Sequence, residues 1–514
     1  MGAICREGWH GADLQQPRIA HRPAGIRLLK NLATKAASHP GRRKEGGRQA
    51  GRKNHVPAQV FRENEKFAGT VNNRALQGVP KPGRAGLNFI GMRIKKLELK
   101  NFRGFEELVI DFPEGESGLA VFVGVNGSGK TSVLEGIVSD LYFMYESAYT
   151  VDPENGVGIL GSNFKDIKLG STFFENDIYL INEGEVFKIV RRVDSVNKSA
   201  GWTSKITSPF IRNVKDKIDW KEKFKQRFQE NPALILYYPT NRTVNNSPSL
   251  ASNDLRKIGQ IDAFLGVFKG EAGFEEFFEW FRSMEDIENE QRLYADDSYR
   301  HIALEAVRRS ISIFLNEISN PRVQRQPKEE LIIEKNGQKL FFYNLSDGER
   351  MLVAMVGDIA RRMSFLNPED PLSSPGIILI DEIEQHLHPG LQRTIIPNLR
   401  RTFPNIQFIL TTHSPQVLST LKKENVFILD NFQLVQDTPH TYGRDSNSIL
   451  WDIFGVEKRP PESKEIFSKL YRMMDDPDKV EETEALLRDV EERYGYYDEE
   501  VVRARGQFEF LNEK

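Results

Sequence analysis

Cysteine is almost absent: Cys5 carries the only thiol in 514 residues. Disulfides, thiolate-ligated zinc and a cysteine nucleophile are therefore excluded from the body of the chain, which suits a reducing, cytoplasmic setting. Long apolar runs are missing too. No stretch approaches the roughly 18 residues that a membrane helix needs, so a membrane is not expected as a partner. Heptads do not persist over several repeats, which removes long coiled-coil arms. Bulk positive charge is also lacking, since the formal net charge is −2.

That balance hides an asymmetry. Residues 1–91 carry 17 Lys/Arg against 5 Asp/Glu, and the remainder 54 against 68. The body is not a globally basic nucleic-acid binder, so any DNA contact must come from a local patch. The run from Lys205 to Arg227, with Lys215, Lys217, Lys221, Lys223 and Lys225, offers such a patch or a solvated face. Residues 1–91 lack periodicity and are rich in Gly, Arg and Pro, as at Gly41–Arg48. They read as a disordered basic extension. Three readings stay open: a nucleic-acid arm, an organellar transit peptide, or translated upstream sequence before a natural start at Met92.

What is present centres on Gly124-Val125-Asn126-Gly127-Ser128-Gly129-Lys130-Thr131. It fits G-x-x-x-x-G-K-[ST] and lies between an apolar strand, Leu119–Val123, and a helical pattern from Ser132 onward. Glycines let backbone N–H groups turn around a phosphate at a helix N-terminus. In such a loop Lys130 reaches the β- and γ-phosphates, and the Thr131 hydroxyl, beside Ser132, sits on Mg²⁺. A nucleoside triphosphate is the expected ligand, with ATP and Mg²⁺ as cofactors.

Further on, Gly376–Ile380 is an apolar strand that ends in Asp381 and Glu382. A strand this apolar belongs in the middle of a sheet, whose carboxyl edge binds ligands. Asp381 is expected to hold Mg²⁺ through water, and Glu382 to orient and deprotonate the attacking water. Glu384, His386 and His388 follow, a spacing that could serve a metal. Ile406–Leu410 is another buried strand, closed by Thr411-Thr412-His413-Ser414-Pro415. Phe274, Phe277, Phe278 and Phe281 mark an amphipathic helix, and a second runs from about Ser298 to Leu315.

Leu99-Lys100-Asn101-Phe102-Arg103 before the phosphate loop and Leu345-Ser346-Asp347-Gly348-Glu349 after it resemble two motifs of the RecF/SMC-type branch of ABC ATPases. Those motifs are an L-x-N-F-R strand-turn and the Leu-Ser-Gly-Gly-Gln signature. The resemblance covers about 92–514. It implies an α/β P-loop NTPase fold: an ABC-type head with a mixed central sheet, an antiparallel N-terminal β-lobe, an inserted helical lobe and C-terminal helices. The expected divisions are 92–200 for the first part of the head with the phosphate loop, 201–330 for the helical lobe, 331–435 for the second part of the head and 436–514 for an accessory helical region.

By the same resemblance Asn101 and Arg103 lie near the nucleotide, and His413 is the switch that senses the γ-phosphate. It also implies a subunit-contacting loop, rather than a metal site, at Glu384, His386 and His388. Ser346 and Gly348 bind the γ-phosphate held by a second copy, so a homodimer sandwiches two ATPs. The glutamine loop of the wider family has no counterpart, because no glutamine occurs between Thr131 and Lys225. Asn163 and Ser171 are the nearest polar stand-ins. Within the branch the chain resembles bacterial AAA family ATPases, including those of Septu and retron-associated anti-phage systems, which pair with a separate nuclease. An ATP-gated switch over a partner nuclease or a DNA transaction is the implied function. The alternatives are a transporter head, which the missing glutamine opposes, and a self-contained nuclease of the overcoming-lysogenization type, which the lack of a strand ending in paired aspartates after His413 opposes.

Overall fold

The computed structural model describes residues 91–512 apart from 114–117, 150–163, 183, 195–202, 208–225, 227–229, 231, 243, 245–259 and 265–273. The expectations for 1–90 and most of the basic run 205–227 lie outside the described residues.

Two sheets meet at the phosphate loop. The first is antiparallel. It contains β1 (Arg93–Lys100), β2 (Glu107–Asp111), β4 (Phe173–Asn182), β5 (Glu185–Asp194) and β6 (Thr203–Thr207), in the order β2-β1-β4-β5-β6. Alternation in Arg93–Lys100 buries Ile94, Leu97 and Leu99 on one face, as a half-exposed strand requires.

The second sheet is mixed. β3 (Ala120–Val123), β7 (Leu234–Tyr238), β11 (Gly376–Ile380), β12 (Ile406–Thr412), β13 (Val426–Asp430) and β14 (Gln433–Leu434) lie in the order β14-β13-β3-β12-β11-β7. Pairing is parallel from β13 to β7, and only β14 is antiparallel. β3, β7, β11 and β12 are buried at every residue. Covering both faces explains why they read as continuous apolar runs. Gln407, buried on β12, ties the sheets together: its side chain accepts from the Ile94 N–H at 2.7 Å and donates to the Ile94 carbonyl at 3.0 Å.

α1 (Lys130–Tyr149) packs between the sheets. The fully buried pair Arg191–Asp140, 2.6 Å, fastens it to the antiparallel sheet. α2 (Phe274–Tyr294) and α3 (Ile302–Phe314) cover the other side, with Phe274, Phe277, Phe278 and Phe281 buried. Arg308 on α3 bonds Glu288 and Glu285 of α2, so the charges in this layer are paired rather than stranded.

The segment 201–330 is therefore more than a helical lobe. It supplies β7 to the central sheet, and it begins a small sheet of β8 (Ile318–Gln324), β9 (Glu330–Lys335) and β10 (Gln338–Phe341). That sheet delivers α4 (Asp347–Leu366), nearly all of which is buried. α5 (Pro389–Thr402), the short α6 (Pro415–Leu418) and α7 (Ser446–Phe454) follow. α8 (Pro461–Met474), α9 (Val480–Tyr494) and α10 (Glu499–Asn512) close on a small core of their own around Phe467, Leu470, Leu487 and Val490. No helix among the described residues is long and apolar enough to cross a membrane.

α4 approaches α2 closely at Gly357, where an added Cβ would lie 2.3 Å from the Phe277 ring. Gly357→Val is expected to destabilise the protein by about 1–3 kcal/mol through overpacking. Thermal unfolding checks this, and an unchanged Tm would contradict the contact.

Candidate functional site

The carboxyl ends of β3, β11, β12 and β7 share one edge of the sheet. β3 turns into the loop Gly124–Gly129, which opens α1. Val125, Asn126 and Gly127 form an exposed rim, while Ser128, Gly129 and Lys130 are buried. The Lys130 ammonium donates to the carbonyls of Gly124, 3.0 Å, and Val125, 3.1 Å, so it curls over the mouth of its own loop. Burial pulls its pKa below the usual lysine value, against the opposing fields of Asp381, Glu382 and Glu384. The Ser128 hydroxyl oxygen is buried with no partner among the described residues.

β11 ends in Asp381, which is 1% exposed. One of its oxygens accepts from the Thr131 hydroxyl at 2.8 Å, and the other from the Thr411 hydroxyl of β12 at 2.5 Å. Hard oxygen donors from Thr131 and Asp381 converging beside a phosphate loop fit Mg²⁺, which takes one or two protein oxygens and fills its shell with phosphate and water.

Glu382 follows in the left-handed region, φ +46, a conformation that costs a non-glycine residue roughly 1 kcal/mol or more. The surroundings enforce it. Its N–H donates to the Thr411 hydroxyl at 2.7 Å, and its carbonyl accepts from Arg242. Arg242 lies four residues beyond β7 and is 2% exposed. Its guanidinium also donates to the carbonyls of Pro239, 2.8 Å, and Asp381. Burial lowers its pKa, while Asp381, Glu384 and Glu382 favour the charged form.

Glu384 lies on the same turn. Its carboxylate accepts from the backbone N–H of His413 through one oxygen, and the other oxygen is buried with no partner among the described residues. Burial raises its pKa above the ordinary carboxyl value. The His413 ring stacks near Phe454, with centroids 6.4 Å apart. Its pKa is lowered by burial first and by the Lys130 charge second, which favours a neutral imidazole near neutral pH.

Lys130, Thr131, Asp381, Glu382 and His413 are thus brought to one edge. Ser346 and Gly348 engage elsewhere. Ser346 caps α4: its hydroxyl accepts from the Glu349 N–H, and the Glu349 carboxylate reaches back to the Ser346 N–H. Lys335 holds Glu349 at 2.6 Å. Gly348 packs against the His386 carbonyl, where a Cβ would come within 2.5 Å. Ser346 and Asp347 remain exposed.

The turn of Asn101 and Arg103 has φ +52 and +51, and Arg103 pairs with Glu135 of α1 and with Asp166. His388 caps α5 by accepting from the Gly390 N–H at 3.2 Å. Ser171 donates its N–H to the Lys168 carbonyl, and Asn163 lies outside the described residues. Arg242 and Glu384 were not assigned from the sequence. Their only signal there is position: Arg242 follows a buried strand, and Glu384 stands two residues after Glu382.

Comparison with known proteins places the site in context. Residues 119–419 match the family described as "AAA domain, putative AbiEii toxin, Type IV TA system". The chain is 30% identical over 436 residues to "Retron Ec83 probable ATPase" of Escherichia coli, covering 73% of this chain and 78% of that one. It is 27% identical over 424 residues to "Retron Vc95 probable ATPase" of Vibrio cholerae, covering 71% and 79%. "Septu protein PtuA" of Bacillus mycoides is 25% identical over 423 residues, covering 80% of this chain and 52% of that one.

The raised pKa of Glu384 fixes the sign of a pH effect. The folded state holds this proton more tightly than the unfolded state, so the stability linked to it is lost as pH rises above the ordinary carboxyl value of 4.5. Glu384→Gln keeps an acceptor for the His413 N–H and has no proton to lose. Its Tm should therefore rise relative to wild type as pH is raised above the ordinary carboxyl value. A Tm difference independent of pH would contradict the burial of this carboxylate.

Proposed function

Because the chain belongs to the AAA-domain family matched over residues 119–419 and, like its retron relatives, is an ATPase of that family, we propose that it works as an ATP-gated dimeric switch. The observation that carries this reading is the meeting of Thr131 with Asp381, with Lys130, Glu382 and His413 around them.

In this reading the N–H groups of Gly124–Ser132, with Asn126 on the rim, surround the β-phosphate, and Lys130 swings from its loop carbonyls onto the β- and γ-phosphates. Thr131 and Asp381 hold Mg²⁺, which when bound screens phosphate charge. Glu382 takes the proton of the attacking water. His413 donates to the γ-phosphate and loses that bond when phosphate leaves. Asn101 and Arg103 flank the nucleotide from the β1–β2 turn.

The exposed Ser346, with Gly348 behind it at the start of α4, is presented to the γ-phosphate of a second copy. Its exposure supports a sandwich: within one chain its N–H and hydroxyl bond only to Glu349 among the described residues. A site shared in this way is incomplete in one copy, so closure reports ATP on both. The retron ATPases among its relatives support a place in anti-phage defence, with a separate nuclease or effector as the element controlled.

Lys130→Ala is expected to abolish ATP binding in equilibrium titration. Glu382→Gln should bind ATP, lower turnover by about 100-fold or more and accumulate as a dimer. Light scattering that finds Glu382→Gln monomeric at saturating ATP would count against the sandwich.

A further inference from the structure

Arg242 is an arginine that the site cannot use directly. At 2% exposure it reaches neither solvent nor a ligand at the rim. Yet it is a full charge placed among Asp381, Glu382 and Glu384. No carboxylate among the described residues hydrogen-bonds it. Its donors go instead to three backbone carbonyls, those of Pro239, Asp381 and Glu382, and its Nε has no partner among the described residues. A structural arginine would ordinarily be paired with an acid, as Arg191 is with Asp140 and Arg308 with Glu288.

The carbonyls it chooses are those of the two acids at the end of β11. The second of these, Glu382, is the residue in left-handed backbone. The Thr411 hydroxyl fixes the N–H of that residue, and Arg242 fixes its carbonyl. With both ends of the residue held, the direction in which the Glu382 side chain leaves the backbone is set. The donor set also requires a planar fork, which an ammonium does not supply.

We propose that Arg242 is the positioning residue for Glu382: it locks the turn after β11 so that the Glu382 carboxylate faces the phosphate loop, and its charge offsets the mutual repulsion of Asp381, Glu382 and Glu384. This rests on the ATPase reading above and adds a determinant that no motif in the chain announces. β7 is the parallel neighbour of β11, with Tyr238 opposite Ile380. The loop Pro239–Arg242 therefore emerges beside the reacting edge, which is how a residue 139 positions before Asp381 in sequence comes to hold it.

The test uses the full chain. For wild type, Arg242→Lys, Arg242→Ala, Glu382→Gln and Arg242→Lys/Glu382→Gln, the affinity for a non-hydrolysable ATP analogue is measured together with kcat and KM. Arg242→Lys keeps the charge and about the same volume but not the fork. It should hold affinity and KM within about threefold of wild type and lose about 100-fold in kcat, the scale of a misplaced reacting group. Added to Glu382→Gln it should cost less than about threefold more, because the two act through one carboxylate. If Arg242→Ala does not fold, Arg242→Lys carries the test alone.

Turnover by Arg242→Lys near the wild-type rate, a parallel loss of affinity, or a fully multiplicative double variant would each overturn the proposal. A wild-type chain that binds or hydrolyses no ATP would instead overturn the functional reading itself.

Discussion

A hydroxyl at the start of α1 and a carboxylate at the end of β11, separated by 250 positions in the chain, meet at 2.8 Å. That contact between Thr131 and Asp381 exists only because parallel β3, β12 and β11 all present their carboxyl ends to one side. Asp381 is a buried carboxyl group, so it must be met by hydrogen-bond donors or become costly. Thr131 and Thr411 meet its two oxygens, and Lys130 and Arg242 supply positive charge nearby. Every other feature of the site follows from keeping that carboxylate in place. The Thr411 hydroxyl also receives the Glu382 N–H, and the Thr411 carbonyl receives the Ile383 N–H. One residue of β12 thereby sets the course of the turn that leads on to Glu384 and, through it, to His413.

β7 extends this order to the helix that begins at the signature. Consecutive residues on a strand face opposite sides of the sheet. Tyr237 lies near Asp381, Glu135 and Arg103, whereas the Tyr238 hydroxyl donates to Asp358 in the middle of α4 at 2.9 Å. Asp358 is fully buried, and Arg361 and Arg362 of the same helix hold it charged, below its ordinary pKa. The helix capped by Ser346 is thus bonded to the strand whose following loop carries Arg242. A displacement of α4 cannot leave β7 unmoved without breaking a buried, charge-assisted bond, which is among the stronger links a core offers.

Local patterns were legible in the sequence, and tertiary pairings were not. The phosphate loop, the apolar strand before Asp381 and the strand before His413 each declare themselves over fewer than ten residues, and the structure forms all three. The phenylalanines at 274, 277, 278 and 281 likewise gave the buried face of α2. α4 begins at Asp347, because the capping box of Ser346 and Glu349 satisfies its first N–H groups. Arg242 gave no signal beyond its place after a buried strand, since its value lies in carbonyls 139 and 140 positions away. Glu384 looked like part of a histidine-rich loop, because its bond to the His413 N–H appears only when β11 and β12 are neighbours. The reading of 201–330 as a helical lobe understated β7, whose place in the sheet depends on pairing with Gly376–Ile380.

The glycines of the phosphate loop separate what the fold needs from what a ligand needs. At Gly124 a Cβ would meet the Leu429 carbonyl at 2.2 Å, and at Gly129 it would strike the rings of Phe105 and Phe432 within 2.8 Å. Both positions are closed by packing from the β13–β14 turn and the β1–β2 turn, whatever occupies the loop. Gly127 has nothing within 4 Å, and its φ is +84. Its backbone sits on the open rim, so a side chain there would contact no part of the protein. What it would obstruct is the approach of a bound group to the N–H groups of the loop, and a left-handed conformation is one that glycine adopts at little cost. Two of the three glycines are thus accounted for by the protein's own packing, and the third by its backbone and by the space it leaves open. Matching the whole motif is therefore stronger evidence than three flexible positions would be, because independent constraints on the core and on the rim are met in one short loop.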